Sequence, residues 1–358
     1  MRLDFVIAHL GSGGAQRVMV LLANHFCSLG YEVNIITFNK GLAFDLNKNI
    51  NLVNLHDGKI PNHTLRSLWK LLTYYRKKDN RPSIMISFIT QLSFVAIIAA
   101  KLYRIKIIAS EHSNCLSAQK PIFLTNFVRN FLYPLADYLT VLTSYDVDYY
   151  LKKKINVTVM PNPLTFDIAP IKDSPKSKVV VAAGNLDRYH IKGFDNLLDI
   201  MTPLLLAKPD WKLKIVGGGE KGLSFLKAKA MENKILNSLI LPGFRSDIAE
   251  IMQESEIFIL SSRHEGLPMV LLEAMSQGMA CISYDCITGP SDIITHNLDG
   301  FLVENQNIEE MKMQMAILMD DESIRKRFSQ NAIRSLENFK IENISAKWEN
   351  LFNNLIKE

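Results

Sequence analysis

Short apolar runs alternate along this chain with longer segments in which apolar side chains recur every three or four residues. Short apolar runs are typical of buried strands, and the longer period is typical of amphipathic helices. Their alternation predicts parallel sheets with helical connections. The predicted strands are 3–8, 33–38, 84–88, 106–110, 138–142 and 157–160 in the first half, and 179–183, 212–216, 239–241, 257–260, 280–283 and 300–303 in the second; predicted helices include 16–29, 94–103, 194–206 and 269–277.

Between the two groups of strands, residues 164–178 show no clear period and contain Pro170 and Pro175, which predicts an interdomain connection. A chain of 358 residues is also long for a single core. We therefore predict an α/β protein with two Rossmann-like, doubly wound parallel-sheet domains facing across a cleft. The predicted boundaries are 1–170 and 171–340, followed by an amphipathic helix over 341–358.

Composition narrows the class of protein. The chain is 48% hydrophobic and 22% charged, with a net charge of +5 that is too small and dispersed to indicate a nucleic-acid partner. The longest uncharged apolar run, 94–100, is too short to span a bilayer, and Asp4 interrupts any secretory signal, so we expect a cytoplasmic protein. The four cysteines lack metal-ligand spacing and are expected to be free thiols.

The most informative segment is 261–278, in which Glu265 and Glu273 flank a Gly-Leu-Pro turn that opens a helix. The orphan amides of residues 267–270 and the helix dipole would attract a phosphate, while Glu273 could accept two hydrogen bonds from a ribose diol. Pro268 is expected at the first helical position. The candidate binding residues of this segment are Gly266, Leu267, Pro268, Met269, Val270 and Glu273.

The spacing from Glu265 to Glu273, with EGLP after the first glutamate and EAMSQG around the second, resembles the retaining, nucleotide-sugar-dependent glycosyltransferases of the GT-B fold (glycosyltransferase group 1). The resemblance implies that Glu265 lies by the donor sugar and acts in catalysis, and that Glu273 binds the ribose. It also implies a first domain that binds the acceptor, a second that binds the nucleotide sugar, and a last helix that packs back on the first domain.

Two further loops match the same family. Residues 10–17 follow the first strand, and Gly13 and Gly14 could bring backbone amides against a phosphate or sugar. Residues 183–195 contain Lys192, which matches a family lysine and is expected to neutralise the leaving diphosphate. The family usually has arginine where this chain has Asn185, so Arg188 is a proposed substitute, with a surface role as its alternative.

Weaker matches complete the candidate site. Gly218, in the glycine-rich turn 215–220, and Arg245, in 241–247, match segments that line the family's nucleotide pocket. His112 follows a predicted buried strand and matches the family's cleft histidine, which could donate to a sugar hydroxyl or phosphate near neutral pH. The resemblance therefore implies three catalytic residues, Glu265, His112 and Lys192. Asp146 and Asp148 form a D-x-D pair that we interpret as helix capping rather than a metal site.

Residues 65–78 combine a helical apolar stripe, Leu65, Leu68, Trp69 and Leu72, with five basic residues. Such a helix could lie on an anionic membrane surface or could simply pack on the first domain with a wet basic face. We keep both interpretations open.

The sequence thus predicts a retaining, metal-independent glycosyltransferase that needs no cofactor. By resemblance it moves a hexose or N-acetylhexosamine from a nucleotide sugar, UDP-linked rather than GDP-linked, to a glycan acceptor, expected to be lipid-linked, in surface polysaccharide or lipopolysaccharide biosynthesis. The expected location is cytoplasmic or peripheral on the inner face of the membrane. The alternatives are a nucleotide-sugar epimerase of the same architecture and a non-catalytic nucleotide-sugar-binding module. An NAD oxidoreductase is disfavoured because Gln16 replaces the third glycine of the fingerprint.

Overall fold

The computed structural model describes residues 1–11, 13–57, 60–116, 121–170 and 176–357. The chain divides into two compact units, the first made of Met1–Thr165 with Phe339–Glu358 and the second of Phe166–Asn338. Each unit contains one sheet in which all the paired strands are parallel, so the predicted α/β class with two doubly wound sheets is confirmed.

The elements follow one another in the alternating order expected for such sheets. The strands are β1 (Arg2–Val6), β2 (Glu32–Thr37), β3 (Asn51–Asn54), β4 (Ile84–Phe88), β5 (Lys106–Ser110), β6 (Tyr138–Val141), β7 (Val157–Val159), β8 (Ser177–Ala183), β9 (Lys212–Val216), β10 (Leu239–Ile240), β11 (Ser255–Leu260), β12 (Ala280–Asp285) and β13 (Gly300–Glu304). The helices are α1 (Gly14–Ser28), α2 (His63–Arg76), α3 (Thr90–Tyr103), α4 (Ile122–Phe127), α5 (Val147–Leu151), α6 (Phe194–Ala207), α7 (Glu220–Glu232), α8 (Ile248–Gln253), α9 (Met269–Ser276), α10 (Pro290–Ile293), α11 (Ile308–Asp320), α12 (Glu322–Ser335) and α13 (Ile341–Lys357).

The first unit has a seven-stranded sheet in the order β3-β2-β1-β4-β5-β6-β7. Its central strands are buried, and Phe5 lies 6.4 Å from Phe26 and 6.2 Å from Phe88 between ring centroids. The final helix α13 packs on α1, with the ring of Phe352 5.3 Å from that of Phe26, and Glu349 accepts a hydrogen bond from a tyrosine after α1. The chain therefore returns to its first unit at its end.

The second unit has a six-stranded sheet in the order β10-β9-β8-β11-β12-β13. Its strands pair in register from Val179 with Lys212 to Asp285 with Glu304, with one irregularity between β8 and β11. Its core includes the fully buried rings of Trp211, Phe258 and Phe328. Because all the strands run in one direction, their carboxyl ends share one edge, where the loops of open α/β sheets commonly bind ligands.

One strand was not predicted, the structure shows which residues of helix α2 are buried, and one predicted role is wrong. Strand β3 was not predicted, since its ends are polar and its side chains are largely exposed. Helix α2 packs through Ser67, Leu71 and Tyr75, so the predicted apolar stripe faces partly outward, with Leu65 and Trp69 exposed. Asp146 does not cap its helix through its side chain; its buried carboxylate instead accepts a hydrogen bond from the Cys115 amide at 2.7 Å.

None of the helices in the described ranges combines the length and apolar character required to cross a bilayer. The four cysteines are unpaired thiols, and three of them are buried.

Candidate active site

Three loops meet at the carboxyl edge of the second sheet, where β8, β9 and β10 end. The amide of Leu186 donates to the Gly218 carbonyl at 2.8 Å, and the amide of Gly217 donates to the Gly243 carbonyl at 3.0 Å. A Cβ on Gly217, which has φ +159°, would lie 1.8 Å from the Gly184 carbonyl oxygen. Glycine is therefore needed because the loop backbones lie in direct contact. The predicted binding residue Gly218 is part of this contact.

The predicted catalytic residues Lys192 and Glu265 form an ion pair, with Lys192 Nζ 2.7 Å from Glu265 Oε1. Their side chains are only 18% and 11% exposed. The aliphatic part of Lys192 lies against Gly184, whose added Cβ would be 3.4 Å away. A cation held in such surroundings interacts with charge more strongly than one in open solvent. This pair brings the β8–α6 loop and the β11–α9 loop together.

The same two loops are joined by further hydrogen bonds that sequence reasoning missed. The Arg263 amide donates to the Ile191 carbonyl at 2.9 Å, and Ser261 Oγ donates to the Lys192 carbonyl at 2.9 Å. The Arg263 guanidinium pairs with Asp195 at 2.7 Å. Burial raises the pKa of the Asp195 carboxyl, but hydrogen bonds from Arg263 and His190 outweigh it and leave that pKa lowered. Lys192 therefore lies on a loop that is fixed on both sides.

Helix α9 begins at Met269, and Pro268 is its N-cap with extended backbone rather than its first residue, which corrects the prediction. The first amides of a helix have no acceptor within that helix, and its amino end carries partial positive charge. Glu273 lies in the second turn of α9 and is 8% exposed. Leu267 is buried, while Met269 and Val270 are half-buried.

A second loop missed by sequence reasoning supports the α9 turn. Thr288 Oγ1 donates to the Glu265 carbonyl at 2.5 Å. Gly289 has φ +97°, and a Cβ there would lie 2.2 Å from the Gly266 carbonyl oxygen and 2.5 Å from Pro268 Cδ. The available signal was the Gly289-Pro290 pair, because glycine followed by proline often marks a turn into a helix.

The two arginines predicted to bind the donor, Arg188 and Arg245, are exposed and lie outside the Lys192–Glu265 ion pair. Arg188 is exposed, and its carbonyl accepts from the Lys192 amide at 2.9 Å, which puts it one turn from the lysine. Asn185, which stands where the family has arginine, caps this turn by accepting from the Asp187 amide at 2.9 Å. Arg245 is exposed and pairs with Asp247, whose pKa is lowered by that hydrogen bond.

His112 belongs to the first unit and follows β5. Its ring stacks on Phe88 with centroids 4.6 Å apart, and its Nε2 lies 3.1 Å from Ser110 Oγ. Burial lowers the pKa of His112 to about 4, so the ring is neutral at neutral pH. The neighbouring Glu111 points into the core, where it accepts from Thr90 at 2.7 Å and from Tyr133 at 3.0 Å. Glu111 therefore anchors the histidine loop.

Gly13 and Gly14 also lie at the carboxyl edge of the first sheet, after β1. Gly13 has extended backbone and precedes α1, and Gly14 is the first helical residue. A Cβ on Gly13 would lie 2.3 Å from Gln16 Oε1. Ile89, which follows β4 at the same edge, has φ +75°, an uncommon value for a β-branched residue. The first unit thus carries Gly13, Gly14 and His112, and the second unit carries the remaining candidate residues.

Across the residues that the structure describes, no group of three or more His, Cys, Asp or Glu side chains is arranged to hold a metal ion. The cationic groups of the second-unit site are those of Lys192 and Arg263, each hydrogen-bonded to a carboxylate, with Arg188 one turn from Lys192.

Two family models match the chain and together span most of it. The model for glycosyl transferases group 1 matches residues 165–335, and the model for glycosyltransferase family 4 matches residues 12–167. The first of these covers the whole site of the second unit described above.

Whole-length relatives agree with the family models. The chain is 31% identical to the amylovoran biosynthesis glycosyltransferase AmsD of Erwinia amylovora over 96% of each chain. It is also 31% identical, over 97% of each, to the GalNAc-alpha-(1->4)-GalNAc-alpha-(1->3)-diNAcBac-PP-undecaprenol alpha-1,4-N-acetyl-D-galactosaminyltransferase of Campylobacter jejuni. The crystal structure of TarM superposes with a TM-score of 0.83 at 15% identity over 98% of both chains, which establishes the GT-B fold.

Proposed function

We propose a specific reaction for this chain, which belongs to the group 1 glycosyl transferases: it transfers a hexose or N-acetylhexosamine from a UDP-sugar to a lipid-linked glycan with retention of anomeric configuration. That it is a glycosyltransferase of polysaccharide or glycan biosynthesis follows from its relatives. The observation that best supports the proposed reaction is the Lys192–Glu265 ion pair beside the amino end of α9.

The donor is proposed to bind to the second unit. Its diphosphate would lie against the first amides of α9, at residues 267–270, and near Lys192. Glu273 would accept hydrogen bonds from the ribose, and Glu265 would face the donor sugar. Gly218 and Arg245 would line the base, with Arg245 contributing backbone because its guanidinium is paired with Asp247.

The chemical step requires stabilisation of the departing diphosphate. As the bond between the anomeric carbon and the diphosphate oxygen breaks, its electron pair leaves with UDP, and negative charge grows beside Lys192 and the α9 amides. The acceptor hydroxyl oxygen then bonds to the anomeric carbon on the same face. Its proton passes to the leaving phosphate. Lys192 is held in place before the reaction, so little reorganisation is needed.

In this proposal Lys192 and the helix dipole take the role that a divalent cation has in other transferases. The wild-type enzyme is therefore expected to keep its activity in excess EDTA. Loss of activity in EDTA that manganese restores would contradict metal independence. Full activity in Glu265→Ala would contradict the role of that carboxylate.

We assign acceptor binding to the N-terminal domain, 1–170, and donor binding to 171–340. The roles of Gly13, Gly14 and His112 rest on the family resemblance. Because burial keeps His112 uncharged, it would act as a neutral hydrogen-bond partner of a sugar hydroxyl. The relative from Campylobacter jejuni is named for an acceptor carried on undecaprenyl diphosphate, which supports a lipid-linked acceptor. The protein would then work in the cytoplasm, at the inner face of the membrane.

The test is a panel of nucleotide sugars offered first without acceptor and then with polyprenyl-diphosphate glycans. UDP release that rises with acceptor, and a product linkage with the anomeric configuration of the donor, are expected. An inverted linkage would contradict retention. An isomerised donor formed without acceptor would identify an epimerase, and binding without turnover would identify a non-catalytic module.

A further inference from the structure

One side of the first unit carries an unusual row of exposed aromatic side chains. Helix α4 continues directly into a π-helical turn, Val128–Leu132, and this combined helix presents Phe123, Phe127 and Phe131 at 84%, 36% and 64% exposure. The rings of Phe127 and Phe131 are 5.4 Å apart, and Phe127 also lies 6.2 Å from Phe94 of α3. We call Phe123, Phe127 and Phe131 the aromatic ridge.

The ridge is exposed although its own helix is well packed. Val128 and Leu132 point into the unit, and the buried Arg129 donates to the carbonyls of Cys115 at 2.7 Å and Asn114 at 3.1 Å. Truncating the ridge rings therefore should not disturb the core. Large contiguous apolar surfaces on soluble domains commonly mark an interaction site.

The ridge lies on a helical face that also carries α2. The connections from β3 to β4, β4 to β5 and β5 to β6 run in one direction across the sheet, so right-handed crossovers place α2, α3 and α4 on the same face. Contacts of α3 with both α2 and the ridge helix agree. On α2, Trp69 is 62% exposed, whereas the other two tryptophans are buried.

The part of the unit that builds this face is mainly basic. Residues 60–116 and 121–137 contain ten Lys or Arg and three Asp or Glu, although the whole chain is only +5. Glu111 is buried beside the buried Arg129, and Asp137 pairs with Lys101. Residues 121–136 have no acidic side chain. Next to the ridge, Lys153 of the lysine triplet 152–154 donates to Asn130 at 2.6 Å, and its chain neighbours Lys152 and Lys154 are exposed.

We propose that this face docks on an anionic phospholipid bilayer, with the aromatic ridge inserting among the lipids and the lysine triplet contacting headgroups. Exposed aromatic rings next to basic side chains match the apolar interior and negative surface of such a bilayer. The inference deepens the proposed function, since it gives the lipid-linked acceptor its surface. The sequence pattern had indicated only α2 as a possible membrane-binding helix, and the structure adds the aromatic ridge to the same face.

The experiment measures partition of the full-length protein onto vesicles by sedimentation, without nucleotide. Vesicles of phosphatidylethanolamine with phosphatidylglycerol are compared with vesicles of phosphatidylcholine alone. Phe123→Ser/Phe131→Ser should reduce partition onto the anionic vesicles by about tenfold or more, because each inserted ring loses apolar burial. The matched control Leu206→Ser/Met231→Ser removes two exposed apolar residues of the second unit and should change partition less than about twofold.

Two further readouts separate insertion from simple charge attraction. Lys152→Gln/Lys154→Gln should weaken partition by about fivefold per lysine at low salt and have little effect at high salt. In a Trp69→Phe background, which removes the exposed native tryptophan of the same face, a tryptophan placed by Phe131→Trp should be quenched by brominated lipids, whereas one placed by Met231→Trp should not. Equal partition of the ridge variant and its control, or no quenching at position 131, would overturn the proposal.

Self-association is the competing use of an apolar ridge. Light scattering of the wild type and the ridge variant should give the same monomer mass, and a dimer that the variant dissociates would overturn membrane docking. The proposed reaction is tested separately by UDP release in lipid-free solution. Vesicle binding without sugar transfer would contradict the proposed reaction but not the docking face. Sugar transfer without vesicle binding would contradict the docking face but not the proposed reaction.

Discussion

Replacing Lys192 by methionine is the most informative perturbation of the site. Methionine keeps the aliphatic length that packs on Gly184 but removes the charge 2.7 Å from Glu265. Breaking a fully buried ion pair by removing one partner costs about 3–5 kcal/mol, because the remaining charge stays buried. Here the partners keep 18% and 11% exposure, so we expect a smaller cost of about 1–3 kcal/mol in the free energy of unfolding.

The catalytic effect should be separate from the effect on stability. Loss of a fixed donor that faces developing charge typically lowers kcat by about 10²–10³-fold. Lys192→Met should therefore lower kcat by about that factor. Adding Glu265→Gln removes the unpaired charge, so Lys192→Met/Glu265→Gln should regain most of the lost stability without regaining kcat.

Urea unfolding and steady-state UDP release on the four proteins of this double-mutant cycle provide the assay. Lys192→Arg serves as the charge-conserving control and should keep more activity than methionine. If the stable double variant turned over within about tenfold of the wild type, the assignment of Lys192 to the leaving group would be refuted.

Three other predictions address the loops and the first unit. Gly193→Ala should lower the free energy of unfolding by about 3 kcal/mol or more, because φ is +66° and the new Cβ would lie 1.8 Å from the Ser261 carbonyl oxygen. The control Gly30→Ala, at φ +87° with open space around it, should cost only about 1 kcal/mol. Similar melting temperatures of the two variants would contradict this. The folded pKa of His112 is lowered from 6.5 to about 4, so its contribution to stability is fully present above about pH 6.5 and is lost as the pH falls toward 4. Relative to His112→Asn, the wild type should therefore lose about 3 kcal/mol of unfolding free energy across that range in urea unfolding. Parallel pH curves for the two proteins would contradict the lowered pKa. Arg188→Ala should lower kcat by less than about tenfold in the UDP-release assay, because the side chain is exposed, and a loss matching that of Lys192→Met would contradict its peripheral role.

The sequence predicted the architecture well because the fold depends on local periodicity. All twelve predicted strands overlap an observed strand over most of their length, including 239–241, which overlaps the short β10. The exception in the other direction is β3, which was not predicted because it has only two apolar residues between polar ends and is largely exposed. The segment around Glu265 and Glu273 was also recognisable, since a turn into a helix and the spacing of its carboxylates are encoded within a few residues.

Contacts between distant loops could not be predicted in the same way. Arg263 reads in the sequence as one more surface arginine, and only the folded second unit shows that its side chain and amide hold the loop of Lys192. Gly289 likewise acquires its role from the backbone of Gly266, which is far away in sequence. The buried side of α2 could not be predicted from the sequence, because apolar residues occur on two of its sides. Tyr75 lies inward and donates a hydrogen bond to Asp4 at 2.7 Å.

A crystal structure of the full chain with UDP would locate the donor site. We expect diphosphate oxygens within hydrogen-bonding distance of the Met269 and Val270 amides and of Lys192 Nζ, and ribose hydroxyls on the Glu273 carboxylate. A nucleotide bound elsewhere, with no contact to the start of α9 or to Glu273, would contradict it.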